Sequence, residues 1–167
     1  KSGDDIVMLS GGTTINGSVQ MVQGHDTLIA SSGVITGDVK TGRGDDTVDL
    51  NGTADVLGDV ITNSGEDTIT LEDMAHIGGN LMTGHNADTV VLDDRATIDG
   101  ELCTGRGDDD ISIAARATVG GNVNAGKGDD VIHVETGANI DDVHGGIGFD
   151  TLQLDANSRV EFDVNPS

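Results

Sequence analysis

An aspartate recurs along the whole chain, at Asp5, Asp26, Asp46, Asp67, Asp88, Asp109, Asp130 and Asp150, in steps of 21, 20, 21, 21, 21, 21 and 20 residues. A period of this length marks a stacked-repeat architecture, in which one copy cannot bury its own apolar face and its neighbours must do so. Eight copies beginning near these aspartates run through residues 1–167 as a single repeat domain, leaving no room for a second.

Each copy carries the periodicity of extended chain. Counting each aspartate as zero, the copy at Asp67 places Ile69, Leu71, Ala75, Ile77, Gly79 and Leu81 at positions two, four, eight, ten, twelve and fourteen, and the other copies broadly repeat this. All are even, while odd positions are largely polar, which is strand periodicity. A copy therefore reads as a short strand, a small turn, and a longer extended stretch whose glycine bends it or lets backbones approach closely. Stacking copies in register builds continuous aliphatic rows with parallel pairing. The expected fold is all-β: a parallel β-solenoid (β-roll or β-helix) of about eight 20–21-residue coils. At about 4.8 Å between strands, such a rod is on the order of 38 Å long.

Composition excludes several functions. Thirty Asp and Glu against eight Lys and Arg give a formal charge of −22, with two Phe and no Trp or Tyr. A nucleic-acid binder needs a basic face and stacking aromatics, and both are missing. No apolar run approaches the roughly 20 residues of a membrane helix. One cysteine, Cys103, rules out an internal disulfide framework and a zinc finger. High charge with few aromatics would by itself predict disorder, but here the acid is periodic.

The acid concentrates in glycine loops. Gly-x-Gly-acid recurs as Gly42/Gly44/Asp45, Gly105/Gly107/Asp108 and Gly126/Gly128/Asp129, and Asn86 replaces the second glycine in one copy. Asn best tolerates a left-handed backbone after Gly, so the loop is expected to need positive φ there. Loop carbonyls beside anionic carboxylates form an oxygen-only donor set suited to a hard cation, calcium more readily than magnesium.

Gly42-Arg43-Gly44-Asp45-Asp46-Thr47-Val48 resembles the Gly-Gly-x-Gly-x-Asp-x-aliphatic-x nonapeptide of RTX proteins, bacterial exoproteins that bind calcium in a parallel β-roll. Gly105–Ile111 and Gly126–Ile132 fit equally, and Gly145-Gly146-Ile147-Gly148-Phe149-Asp150 supplies both leading glycines. The resemblance implies several calcium ions between successive loops, held by Asp46, Asp109, Asp130 and Asp150 with loop carbonyls. Asp5, Asp26, Asp67 and Asp88 follow, although Gln23-Gly24-His25, Asn63-Ser64-Gly65 and His85-Asn86-Ala87 depart from the motif around them. RTX rolls carry two nonapeptides per 18-residue turn, whereas this chain has one per 21, so calcium is expected along a single edge. The other half of each copy, such as Ala117–Val123, looks like the coils of autotransporter passengers and other bacterial surface β-helices. Stacked like charges about 4.8 Å apart oppose folding, so folding is expected to be coupled to calcium.

The remaining candidates are weaker. His25, His76, His85, His133 and His144 share no repeat row and read as incidental surface residues. Cys103 stands at an odd, partly exposed position. Thr41, Thr62, Thr83 and Thr104 form a ladder, as do Thr27, Thr47, Thr68 and Thr89, which is ordinary in solenoids. Every acidic pair has repeat copies and no loop is lengthened, so no catalytic site stands out. The leading expectation is a non-enzymatic, calcium-binding structural or adhesive module of a secreted or cell-surface bacterial protein, with surface glycans or a receptor as further partners. A calcium-independent passenger-type adhesin and a polysaccharide-active enzyme fragment are the alternatives. The chain starts at Lys1 without a signal peptide and reads as part of something larger, open to stacking on neighbouring coils. Phe162 and Pro166 read as a plug on the last coil.

Overall fold

The computed structural model describes residues 2–156 and 161–163. The chain forms an all-β parallel solenoid of about seven turns, with successive turns about 21 residues apart. In the coil beginning at Asp67, the strands are Thr68–Leu71, His76–Ile77 and Leu81–His85. The first two rows of strands belong to one 13-stranded sheet, and the third row forms an 8-stranded sheet facing it. Every recorded pairing is parallel and joins equivalent positions of adjacent coils, as in Val90↔Ile69 and Val90↔Ile111.

Alternation explains the core. Strand Thr68–Leu71 has Ile69 and Leu71 fully buried while Thr68 faces out, and Leu81 and Thr83 are buried in Leu81–His85. Stacked rows such as Val48-Ile69-Val90-Ile111-Ile132 fill the interior. At about 1.5–3 kcal/mol for each fully buried aliphatic, these rows are the main favourable term.

Three corners close the later coils, whereas at Asp26 and Asp46 one strand, Thr27–Ile35 or Thr47–Val56, runs through the first of them. At the first, Ala75, Ala96, Ala117 and Ala138 each donate a backbone N–H to the carbonyl three residues back, and all but Ala138 are fully buried. The second falls at the glycine of position twelve, where the chain passes from the large sheet to the small one. Its side-chain ladder explains that glycine. The Asp59 amide donates to Asp38 Oδ1 (3.2 Å), the Asn80 amide to Asp59 Oδ1 (2.8 Å) and the Glu101 amide to Asn80 Oδ1 (2.9 Å). Each accepting side chain folds over the glycine of the next coil: a Cβ at Gly58 would stand 2.5 Å from Asp38 Oδ1, and one at Gly79 would collide with Asp59 Oδ1. The third corner is the Gly-x-Gly-acid loop.

At the end of the stack, Phe162 is registered with Val143 through parallel strands; Pro166 lies outside the described residues.

Candidate functional site: an internal aspartate ladder

The loop backbone is as expected. Gly44 has φ +111°, and Asn86, one coil position on from Gly65 in the same row, has φ +80°. Stacking supplies a further reason for glycine. The Gly24 carbonyl occupies the space a Cβ on Gly44 would need, and the same holds for Gly42 over Val22, Gly105 over Gly84, Gly107 over Asn86, Gly126 over Gly105, Gly128 over Gly107, Gly146 over Gly126 and Gly148 over Gly128.

The structure separates the anticipated ligands into two rows on opposite sides of the backbone. The outer row includes Asp45, Asp108 and Asp129, all exposed. Their carboxylates accept from the next coil: Glu66 N–H to Asp45 Oδ1, Asp129 N–H to Asp108 Oδ1 and Phe149 N–H to Asp129 Oδ1, each at 2.9 Å. The inner row contains the periodic aspartates. Asp26, Asp46, Asp67, Asp88, Asp109 and Asp130 are at most 1% exposed, inside the solenoid. Asp5 and Asp150 flank them, half-buried.

The inner ladder bonds in the opposite sense. The Asp5 amide donates to Asp26 Oδ1, Asp26 to Asp46, Asp46 to Asp67, Asp67 to Asp88, Asp88 to Asp109, Asp109 to Asp130 and Asp130 to Asp150, at 2.8–3.2 Å. Each Asp-Asp pair thus ties its coil to both neighbours where the loop interrupts strand pairing. One oxygen per inner aspartate remains. Oδ2 of Asp26, Asp46, Asp67, Asp88, Asp109 and Asp130 is buried and has no hydrogen-bond partner.

A buried threonine row adjoins these orphaned oxygens. The Thr41, Thr62, Thr83 and Thr104 hydroxyls lie beside the carboxyls of Asp46, Asp67, Asp88 and Asp109. A hydroxyl has one proton to give. Thr62 Oγ1 donates to the Thr83 carbonyl (3.2 Å), Thr83 Oγ1 to that of Thr104 (3.0 Å) and Thr104 Oγ1 to that of Ala125 (2.9 Å). With those protons committed, Thr62, Thr83 and Thr104 present oxygen to the neighbouring carboxyls and are weak donors to them, whereas the Thr41 hydroxyl has no carbonyl partner and is free to donate to Asp46. In the last coil Gly145 replaces threonine, and Asp150 Oδ2 stands 2.5 Å from where its Cβ would be.

Burial without a donor makes the charged form costly. Burial is the main cause that pushes Asp88 up to about 7, against the Thr83 hydroxyl and the Asp67 amide, with the Asp67 and Asp109 charges adding to it. Burial likewise carries Asp67 and Asp130 up to about 6, and raises Asp46 and Asp109. The row demands positive charge in some form, as protons or as cations. Its donors are oxygen throughout, which fits a hard cation. Among the described residues no three His, Cys, Asp or Glu side chains converge as a ready-made metal cage.

Two arrangements were not anticipated from sequence. The threonine row turned out to contact the aspartates. His76 is clamped between coils, with Nδ1 2.8 Å from Asp55 Oδ1 and Nε2 3.1 Å from Asp99 Oδ2. Burial pulls its pKa down, but those two carboxylates outweigh it and hold it above the ordinary value. Cys103 is half-buried and unpaired.

Among known proteins, no family, no curated protein and no solved structure matches the chain.

Proposed function

We propose that this chain is a calcium-stabilised β-solenoid, a structural and adhesive module of a secreted or cell-surface protein. One observation carries the reading: six buried carboxylate oxygens stand in a row with no donor. A protein folded near neutral pH has to neutralise them. Calcium accepts irregular oxygen sets, so the inner aspartates Asp26, Asp46, Asp67, Asp88, Asp109 and Asp130 would hold it, with Asp150 at the end of the row and loop carbonyls completing the shell. The ion would supply charge neutralisation between coils, and the binding free energy would become folding free energy. The role is non-catalytic, since each acidic pair recurs from coil to coil.

A second reading has its own support. The ladder's Oδ1 bonds are complete without metal, and a protonated aspartate can donate from Oδ2 to the adjacent threonine oxygen, as a calcium-independent adhesive helix would require. Circular dichroism and calcium calorimetry at pH 8 separate the two. The first predicts loss of the β spectrum in chelator and several tight sites. An unchanged spectrum in excess chelator, with no heat on titration, would refute it.

A further inference from the structure

Basic residues are scarce in this chain, and half of them gather on one face. The strands Val39–Arg43, Val60–Ser64, Leu81–His85, Leu102–Arg106 and Val123–Lys127 lie side by side in the small sheet. They contain no Asp or Glu, in a chain with 30, and they hold Lys40, Arg43, Arg106 and Lys127, four of its eight Lys and Arg. Lys40 pairs with Asp38 at 2.9 Å. Arg43, Arg106 and Lys127 are exposed, and make no ion pair among the described residues. On so acidic a molecule, three cations without an ion pair on strands that hold no carboxylate stand out, even with the exposed Asp45, Asp108 and Asp129 two residues further along the loops.

The face is also shaped. A groove of about 510 Å³ runs across the coils, with Gly42 and Gly84 in its floor, Ile61 and Met82 on one side, and Arg43 and His85 on the other. Strand register continues the floor through Gly105 and Gly126, and the cationic side through Arg106 and Lys127. From Arg43 to Lys127 is four coil steps, about 19 Å at roughly 4.8 Å each.

We propose that this groove binds a linear anionic polysaccharide laid along the solenoid axis. Its acid groups would meet Arg43, Arg106 and Lys127, and its apolar ring faces would rest on Ile61 and Met82. The step between coils is close to the length of one pyranose in an extended chain, so successive sugars meet equivalent positions of successive coils. A nucleic acid fits less well, because the groove has no aromatic ring on which bases could stack. The molecule's net negative charge repels polyanions at long range, but beyond about 8 Å physiological salt screens it, leaving the groove's cations to act at contact. The inference is independent of whether the inner aspartates hold calcium or protons.

The test uses the whole chain in calcium buffer, with its β spectrum verified first, so that failure of binding is distinct from failure to fold. The probe is a heparin-derived octasaccharide, followed by calorimetry. Wild type binds it; Arg106→Glu with Lys127→Glu weakens binding at least tenfold; Met82→Asp, which places a carboxylate on the facing side, weakens it as well. Arg95→Glu with Arg116→Glu makes the same net-charge change outside these strands and leaves affinity within twofold. Should the glutamate pair lose the β spectrum, Arg106→Gln with Lys127→Gln replaces it, with the same expected direction. No binding by folded wild type overturns the proposal, as do equal losses in the two charge-reversed pairs. Equal affinity for neutral dextran, or for single-stranded DNA of matched charge, also overturns it.

Discussion

Replacing Asp88 by asparagine exchanges one buried oxygen for an amide and isolates the question of what neutralises the ladder. Asn Oδ1 can still accept the Asp67 amide, which now donates to Asp88 Oδ1 at 2.9 Å. Its Nδ2 places a donor against the Thr83 hydroxyl, whose own proton goes to the Thr104 carbonyl. The gain is calculable from the carboxyl being replaced. Burial raises Asp88 from 3.8 to about 7, and at 1.36 kcal/mol per pH unit that is roughly 4 kcal/mol of opposition to folding once the group is ionised in both states. The sign follows from linkage: the folded chain holds its proton more tightly, so the penalty is absent below 3.8, grows as pH rises, and is complete above about 7. In chelator, Asp88→Asn is therefore expected to be more stable than wild type by up to about 4 kcal/mol at pH 8, and by roughly 2 kcal/mol at pH 5. Urea unfolding followed by circular dichroism measures this at pH 5; at pH 8, where wild type is expected to lose its β spectrum in chelator, titration with a folding osmolyte reads the same difference from the refolding midpoints. In calcium the advantage should shrink or reverse, because the amide cannot replace an anionic ligand. A variant less stable than wild type in chelator at pH 8, or a gain equal at both pH values, would refute the reasoning.

Three other outcomes follow from the packing. Gly79→Ala drives a methyl into Asp59 Oδ1 and the Gly58 backbone, whereas at Gly121 the nearest atom is the flexible Glu101 Cγ at 3.0 Å; thermal melts should show Gly79→Ala costing about 1–3 kcal/mol and Gly121→Ala less. Val22 is β-branched yet has φ +94°, so Val22→Gly should stabilise the chain by about 1 kcal/mol in denaturant melts, relief of strain exceeding the entropy glycine adds to the unfolded state. His76 is held protonated between Asp55 and Asp99, above its ordinary 6.5. Its contribution is fully present below pH 6.5 and is lost as pH rises through the folded value, so His76→Ala should cost about 1 kcal/mol at pH 5.5 and little at pH 9.

The solenoid was legible because its aliphatic rows repeat at fixed even positions, and parity is all a strand needs to choose its inner face. The same rule, applied without regard to charge, would have placed the ladder too. The periodic aspartates stand at position zero and Thr62 at position sixteen from Asp46, both even, and both are buried. Expecting acid to face water put these side chains at the edge beside Asp45, which is odd in phase and does face out. Other features depend on how one coil lies over the next and leave little trace within a copy. Gly79 owes its identity to Asp59, twenty residues earlier. His76 finds its carboxylates 21 residues before and 23 after, too irregular a pair to stand out from the repeat.

The opposite senses of the two acid ladders make each coil both donor and acceptor toward its neighbours, so interfaces between successive coils share one chemistry. Length is then a free variable, while phase is not: a whole coil can be removed and like surfaces meet again, but losing one residue inside a strand would turn its aliphatic side outward. The chain already holds two such losses, one at a bulge in the unbroken strand Thr27–Ile35, at the place where later coils turn their first corner, and one at the second corner. The offset between neighbouring coils changes from 20 at Ala30↔Leu50 to 21 at Ser32↔Thr53, across the bulge. It changes from 21 at Val119↔Ile140 to 20 at Val123↔Val143, across the second. Corners, and the bulge at the place of one, are where a solenoid of this kind absorbs a counting error, and so where its sequence is freest to drift.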